Sequence, residues 1–434
     1  MKRDKKNKMG YGGIRVERTI FHIDVNSAFL SWEAAYRVKY LNAETDLRDI
    51  PSAIGGDQEM RRGIILAKSI PAKKYRIQTG ETLIEAKRKC PSLYLAPPNY
   101  GLYEKCSKAF ISLLREYTPD VEQYSIDEAF MDMTGTRLFL GEPEAVANTI
   151  RVRIREELGF TVNIGVSDNK LLAKMASEFR KPDNVSTLYS YEIKEKMWPL
   201  AVSDLFFVGR ATAKKLFSLG IQTIGELAAT DPLLLKQHLK KQGEIIWAFA
   251  NGIDLSQVQS QAPPNKGYGN STTIAFDVTD REIAHRVLLG LSETVGQRMR
   301  KDDAKAEVIA VGIKTYDLQY VSHQMTLTVP IRVTNQIYQY ACKLFDELWD
   351  GTPIRHLGVH VGRIRDYDFY QMDLFTEMDY EKWEIVDRMV DGIRERYGID
   401  MIKRAVLSKG PIDHMSGGIS REKRDVDYSK ISIM

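Results

Sequence analysis

Four residues, Ser125-Ile126-Asp127-Glu128, restrict this chain more than any other stretch. They lie inside Val121-Glu122-Gln123-Tyr124-Ser125-Ile126-Asp127-Glu128-Ala129-Phe130-Met131-Asp132-Met133. The apolar residues on either side read as the two strands of a hairpin, with two acids side by side at or next to its turn. Adjacent carboxylates repel unless a cation sits between them. An acid pair at a turn is often no more than a solvated corner. A second signal separates this pair from that ordinary case, because Asp24 ends another apolar strand, Thr19-Ile20-Phe21-His22-Ile23-Asp24-Val25-Asn26. Three carboxylates delivered by two strand ends would form a hard, all-oxygen pocket suited to Mg²⁺. Two such ions can organise in-line attack at a phosphoryl group.

The chain around this nucleus is modular. After the first strand an amphipathic segment opens at Ser27 and runs to about Tyr40, so a helix starts beside Asp24. Its first-turn N–H groups would face the same space as the carboxylates and cradle a nucleoside triphosphate. Residues 46–98 form a smaller insert whose Lys68-Ser69-Ile70-Pro71-Ala72-Lys73-Lys74-Tyr75-Arg76 concentrates positive charge. A helix (Tyr100 to Tyr117), the acidic hairpin, a helix (Pro143 to Leu158), a strand (Thr161 to Val166) and a helix (Asn169 to Phe179) follow. Without the insert the order is strand, helix, strand, strand, helix, strand, a ferredoxin-like split βαβ, in which the first strand lies beside the hairpin. Residues 184–255 read as short helices. Leu205 to Leu216 and Leu219 to Leu227 suggest two helix-hairpin-helix units with Gly209 and Gly220 at the turns, able to hold a DNA phosphate through backbone N–H groups. Residues 256–269, rich in Gln, Ser, Pro and Gly, read as a tether. A second α/β unit with the same order of elements occupies residues 270–370. Gln371-Met372-Asp373-Leu374-Phe375 then looks like a docking peptide. An amphipathic helix from Tyr380 to Tyr397 and a flexible end complete the chain.

Size and composition agree with several domains, each burying a core, since the chain has 434 residues, 43% hydrophobic and 28% charged. No apolar run is long enough to cross a bilayer, and no signal-type apolar segment follows the basic stretch Met1 to Lys8, so a cytoplasmic protein with no membrane partner is expected. Cys90, Cys106 and Cys342 lack metal spacing and read as buried thiols in a reducing compartment. A net charge of only +4 leaves any polyanion partner to be recognised by local clusters, around Lys68 to Arg76, Lys170 to Lys181 and Arg298 to Lys301.

Taken together these motifs resemble the Y-family, or translesion, DNA polymerases, closest to their UmuC-like (ImpB/MucB/SamB) branch. The likeness extends over about residues 19–375. Asp24-Val25-Asn26-Ser27-Ala28-Phe29 looks like the first metal motif of the family and Tyr124-Ser125-Ile126-Asp127-Glu128-Ala129 like the second. Gly165 to Ser177, closed by Lys181-Pro182-Asp183-Asn184, resembles the triphosphate-contacting helix of its palm. The resemblance implies an α+β multidomain fold: a ferredoxin-like palm (19–45 and 99–183), a small fingers insert (46–98), a helical thumb with helix-hairpin-helix units (184–255), a linker (256–269) and a tethered second ferredoxin-like domain, the little finger (270–370). A basic N-terminus (1–18), the clamp-binding peptide (371–375) and a helical or flexible tail (376–434) complete it.

The same resemblance implies error-prone, template-directed DNA synthesis past damaged bases in an SOS-like damage response. Asp24, Asp127 and Glu128 would be catalytic and, with the carbonyl of Val25, would hold two Mg²⁺, with Mn²⁺ as a substitute. Ser27, Ala28, Phe29, Lys73 and Lys170 would bind the incoming nucleotide, Phe29 as a steric gate against the ribose 2′-hydroxyl. Gly209, Arg210, Arg298, Arg300 and Arg363 would contact DNA, while Gln371, Leu374 and Phe375 would engage the bacterial sliding clamp. Primer–template DNA, dNTPs, the clamp and accessory SOS proteins are the implied partners. Departures from the family pattern leave the three carboxylates untouched. Ile70 stands where a phosphate-contacting Tyr is frequent, Lys73 replaces Arg, Arg76 and Phe207 occupy Gly positions, and Ala28 replaces an aromatic. A palm-type nucleotidyl cyclase or a non-catalytic DNA- or clamp-binding protein would share part of this pattern. The cyclase needs no phosphate-gripping hairpin, and the binding protein does not need the three acids together.

Overall fold

A computed structural model describes residues 18–56, 63–365, 380–408 and 412. Its catalytic-type unit begins with strand β1 (Ile20–Val25), whose six residues are all buried. Alternation along β1 sends Phe21, Ile23 and Val25 into one core with Tyr103, Phe110 and Leu114 of the helix Tyr100–Arg115 and Val146 and Ile150 of the helix Pro143–Arg153. The even positions face the other way, where Ile20 packs with Phe130 and Ala173. Asp24 and His22 therefore belong to the face covered by the helix Lys170–Ser177.

The insert supplies β2 (Ser52–Gly55), β3 (Ile65–Lys68) and β4 (Tyr94–Ala96) in a small sheet ordered β3-β2-β4. Its basic stretch forms a single helical turn, Ile70–Lys73, capped by the Ser69 hydroxyl, which accepts from the Ala72 N–H at 3.1 Å. Arg76 follows with φ 57°. That left-handed conformation is the reason a Gly suits the position.

The acidic hairpin is formed by β5 (Val121–Gln123) and β6 (Glu128–Asp132), and β7 (Val162–Ser167) and β8 (Val185–Thr187) complete the main sheet in the order β5-β6-β1-β7-β8. With β8 set aside, this is the split βαβ arrangement anticipated from the order of elements. β1 is central and antiparallel to both β6 and β7. The helix after the hairpin is α-helical only to Arg153 and continues as a π-helical turn over Ile154–Leu158.

Short helices occupy residues 193–250, and their core includes Leu171, Leu172, Met175 and Ala176 of the helix Lys170–Ser177. That helix is thus shared between the catalytic-type unit and the helical unit. Phe207, at a family Gly position, adopts φ 74°, again the conformation that favours Gly. Residues 256–266 run beside β5. There Gln259 N–H donates to Glu122 at 2.7 Å and the Ser260 hydroxyl to Asp120 at 3.0 Å.

The last unit has β9 (Gly267–Val278), β10 (Lys305–Thr315), β11 (Tyr320–Ile331) and β12 (Ile354–Arg365), with helices Arg281–Lys301 and Thr334–Leu348. The order of elements matches expectation, but the sheet runs β11-β10-β12-β9. Its last strand, rather than its first, is therefore internal. A helix, Tyr380–Tyr397, docks on this unit through charge: Arg300 contacts Asp387 at 3.0 Å and Asp391 at 2.6 Å, and Arg394 contacts Glu293 at 2.6 Å. No helix among the described residues is long and apolar enough to cross a membrane.

Candidate nucleotidyl-transfer site

Strand pairing assembles the acids. In the register of β1 and β6, Asp24 lies directly opposite Glu128, and the Val25 N–H donates to the Asp127 carbonyl at 3.0 Å. Ser125 shapes the corner. Its hydroxyl donates to the Asp127 carboxylate at 2.6 Å and accepts from the N–H groups of Asp127 at 3.2 Å and Glu128 at 3.0 Å. Asp127, in the corner just before β6, faces the cavity and Glu128, the first residue of β6, faces Lys174, so the two diverge and Asp24 is the acid common to both. Asp24 and Asp127 line a cavity of about 310 Å³ together with Val25, Ser27, Ala28, Phe29, Lys68 and Lys73. Glu128 faces the helix Lys170–Ser177, where Lys174 Nζ lies 2.8 Å from its Oε1.

Cations already sit on two of the three acids. Lys181 contacts Asp24 and also Glu178 at 2.8 Å, and Lys174 holds Glu128. Burial pushes the Asp24 carboxyl up to about 6, Lys181 opposes the shift, and Glu128 and Glu178 add to it. Burial would lower the Lys181 ammonium, but Asp24 and Glu178 outweigh it and hold its pKa above the ordinary range. Burial raises the cost of the Asp24 charge even beside an ammonium, and added positive charge would lower that cost. This donor set, oxygen only and short of positive charge, fits a hard divalent cation. Among the described residues, however, no three His, Cys, Asp or Glu side chains stand ready to hold an ion. The backbone convenes the acids, while the Asp24 and Glu128 side chains point to lysines and that of Asp127 to the Ser125 hydroxyl.

His22 completes the floor. It is fully buried, its ring 4.6 Å from that of Phe130, and burial, followed by Lys174, Lys181 and Lys170, lowers its pKa well below the usual value. The imidazole is neutral. The Ser177 hydroxyl donates to the Lys174 carbonyl at 2.8 Å, which leaves its oxygen to accept from His22 Nδ1 at 2.8 Å. Nε2 then carries the lone pair, 3.5 Å from Lys174 Nζ.

The nucleotide-side residues are placed unevenly. Ser27 adopts φ 50° and makes no side-chain cap, so the first-turn amides of the helix Ala28–Tyr40 keep their hydrogen-bonding capacity. Phe29 is half-buried and stacks on Tyr103, ring centroids 4.7 Å apart and planes at 9°. Lys73 is exposed on the cavity wall. Lys170 is not brought to the cavity. Its ammonium lies 2.7 Å from Glu122 and 4.7 Å from the centroid of the Phe130 ring. The lysines that meet the acids are Lys174 and Lys181, four and eleven positions further along the same basic run. The four-residue step from Lys170 to Lys174 on one helix face was visible in the sequence, but which lysine would meet Asp24 or Glu128 was not.

Of the residues expected to contact DNA, Gly209 and Arg210 are exposed at the start of the helix Arg210–Ser218, and an added Cβ on Gly209 would meet nothing within 4 Å. Arg298 and Arg363 are exposed. Arg298 also donates to the Gly269 carbonyl at 3.1 Å. Arg300 requires correction: it is 8% exposed, and Asp387, Asp391, the Thr334 hydroxyl and the Arg332 carbonyl occupy its guanidinium. Its acidic partners lie about ninety positions away, beyond any local sequence pattern. Gln371, Leu374 and Phe375 fall outside the described residues.

Residues 23–178 match the family described as impB/mucB/samB, residues 192–221 the IMS family HHH motif, and residues 265–374 the impB/mucB/samB family C-terminal domain. DNA polymerase IV of Clostridium acetobutylicum is 46% identical over 392 residues, covering 90% of this chain and 98% of that protein. DNA polymerase IV of Acetivibrio thermocellus is 39% identical, with 90% and 98% covered. DNA polymerase IV 1 of Bacillus subtilis is 35% identical, with 90% and 94% covered. Among solved structures, a Y-family DNA polymerase chimera superposes with a TM-score of 0.69 at 21% identity, covering 80% of this chain and 99% of that one.

Proposed function

The chain belongs to the impB/mucB/samB family of Y-family DNA polymerases, and from that premise we propose that it copies primer–template DNA past damaged bases by two-metal nucleotidyl transfer. One observation carries the reading: Asp24 opposes Glu128 across paired strands while sharing a cavity with Asp127, Phe29 and Lys73. Asp24, Asp127, Glu128 and the Val25 carbonyl are the groups that would hold two Mg²⁺, with Mn²⁺ able to substitute. Such ions, when bound, acidify the primer 3′-hydroxyl and neutralise the departing pyrophosphate.

The chain's own residues bind and select. Lys73, with Lys68 beside it, faces the triphosphate as a point charge where an Arg would form a fork. Lys181, 31% exposed at its side chain, exchanges Asp24 for triphosphate oxygens. Lys170 reaches phosphate only by leaving Glu122, so Lys181 takes the role first assigned to it. The Phe29 ring, backed by Tyr103, excludes a 2′-hydroxyl. Gly209, Arg210, Arg298 and Arg363 grip the DNA backbone. The fingers insert, residues 46–98, offers few contacts able to reject a misshapen pair, and low fidelity follows. The peptide Gln371, Leu374 and Phe375 docks the sliding clamp, and the protein works in the cytoplasm with accessory proteins of an SOS-like response.

The test is primer extension on undamaged and abasic templates with Mg²⁺ and dNTPs, with and without sliding clamp. The wild-type chain extends both templates, Asp127→Ala extends neither, and replacing Leu374 and Phe375 with Ala removes only the gain from the clamp. Wild-type protein no more active than Asp127→Ala on every template would end the reading.

A further inference from the structure

Glu128 does not stand alone on its face of the sheet. Lys174 lies beneath it, its side chain 11% exposed, and donates to Oε1 at 2.8 Å. Oε2 is 3.9 Å from His22 Nε2 and has no hydrogen-bond donor among the described residues. Two rings and an imidazole flank the ammonium. The Tyr124 and Phe206 rings lie 5.3 Å from it, and His22 Nε2 lies 3.5 Å away. His22 is itself fixed by Ser177, and Ser177 returns a hydrogen bond to the Lys174 carbonyl. The contrast with Lys181 is one of mobility: its side chain is 31% exposed and divides itself between Asp24 and Glu178. Lys181 can leave its acid when a divalent ion arrives, whereas Lys174 is packed in place.

We propose that Lys174 is a positioning residue for nucleotidyl transfer: it occupies Oε1 of Glu128 permanently and so presents Oε2 as the single oxygen offered to a divalent ion. A carboxylate whose second oxygen is pinned by a fixed donor is pre-oriented as a ligand, and partners of this kind govern metal affinity from one shell out. The Phe206 contact adds a consequence. Phe206 belongs to the helical unit, and its N–H donates to Met175 Sδ at 3.4 Å, so the DNA-gripping hairpin bears on the same lysine that orients Glu128.

The inference rests on the polymerase reading, and the wild-type chain is the control that separates the two. The full-length protein is mixed with primer–template ending in a dideoxynucleotide and the matching dNTP, and Mn²⁺ uptake is followed by electron paramagnetic resonance. The wild type takes up two ions. Lys174→Met and Lys174→Gln weaken one of them by about tenfold and leave the other ion and the dNTP affinity unchanged. With an extendable primer, kcat falls while KM for the dNTP is held. Lys174→Arg, which keeps charge and donors, recovers the second ion and is the variant read if the other two fail to fold. The proposal is overturned if Lys174→Met or Lys174→Gln binds both ions as tightly as the wild type, or if Lys174→Arg folds and binds only one. A wild-type chain that takes up no Mn²⁺ and extends no primer overturns the polymerase reading as well.

Discussion

Replacing Gly165 with Ala should damage folding and chemistry together. Gly165 lies on β7 against the helix Lys170–Ser177, and an added Cβ would sit 1.9 Å from the Ala173 carbonyl oxygen and 2.5 Å from the Ser177 nitrogen. Both obstacles are backbone, so no side-chain rotation relieves them. The helix must retreat by about 1 Å or more, at a cost of roughly 3 kcal/mol for an overpacked contact of this kind. Lys174 rides on the same helix, so its 2.8 Å contact with Glu128 opens by a similar amount. A displacement of about 1 Å in such machinery costs on the order of 10²-fold in rate. Urea denaturation reads the first effect and single-nucleotide incorporation the second. Gly209→Ala is the internal control, because its Cβ would meet nothing, and it should stay within about 0.5 kcal/mol of wild type. If Gly165→Ala matches Gly209→Ala in midpoint and the wild type in rate, the packing argument is refuted.

Backbone conformation, ring stacking and buried charge set the response at three other positions. At Arg76, with φ 57° and an exposed side chain, Gly should be neutral or stabilising by up to about 1 kcal/mol, whereas Val should cost about 1–2 kcal/mol by denaturation. Phe29→Ala removes the ring stacked on Tyr103 and should admit ribonucleotides; unchanged sugar selection in single-nucleotide assays would retire the gate. Glu293 is buried, which raises its pKa, but Arg404 and Arg394 outweigh burial and hold the carboxyl below its ordinary 4.5. Its stabilising effect is therefore complete above that value and is lost as the pH falls through the lower, folded-state one. Glu293→Gln should cost about 3 kcal/mol near neutral pH, because it leaves buried guanidinium charge uncompensated, and the gap from wild type should close in acid.

Legibility in the sequence followed the range of the forces involved. Period-two alternation in Ile20–Val25 and around Glu128–Asp132 revealed the strands, and the acids at their ends revealed the corner. Backbone pairing then decided the rest, because a register that sets Asp24 against Glu128 has few alternatives once Phe21, Ile23 and Val25 must face the core. Side-chain partners were harder. Lys170 and Lys174 share a helix face, and only the placement of Glu122 sends the first away from the site. Arg300 reads as a basic surface residue until Asp387 and Asp391 arrive from a distant helix. The strand order of the last unit was equally hidden, since an identical succession of elements is compatible with more than one sheet. By contrast, the occupation of Gly positions by Arg76 and Phe207 was visible in the sequence. Both residues adopt the left-handed conformation that their position demands.

The central assertion is that Asp24 exchanges its lysine partner for metal when substrate binds, in a site shared with Asp127 and Glu128. Diffraction from crystals of the chain with primer–template, a dNTP and Mn²⁺ measures this directly, through the anomalous signal of the ions. Two peaks are expected, each at about 2.0–2.4 Å from carboxylate oxygens drawn from Asp24, Asp127 and Glu128, with Lys181 gone from Asp24 and Lys174 still on Glu128. Substrate held in the cavity with Lys181 unmoved and no manganese touching Asp24 would contradict the account.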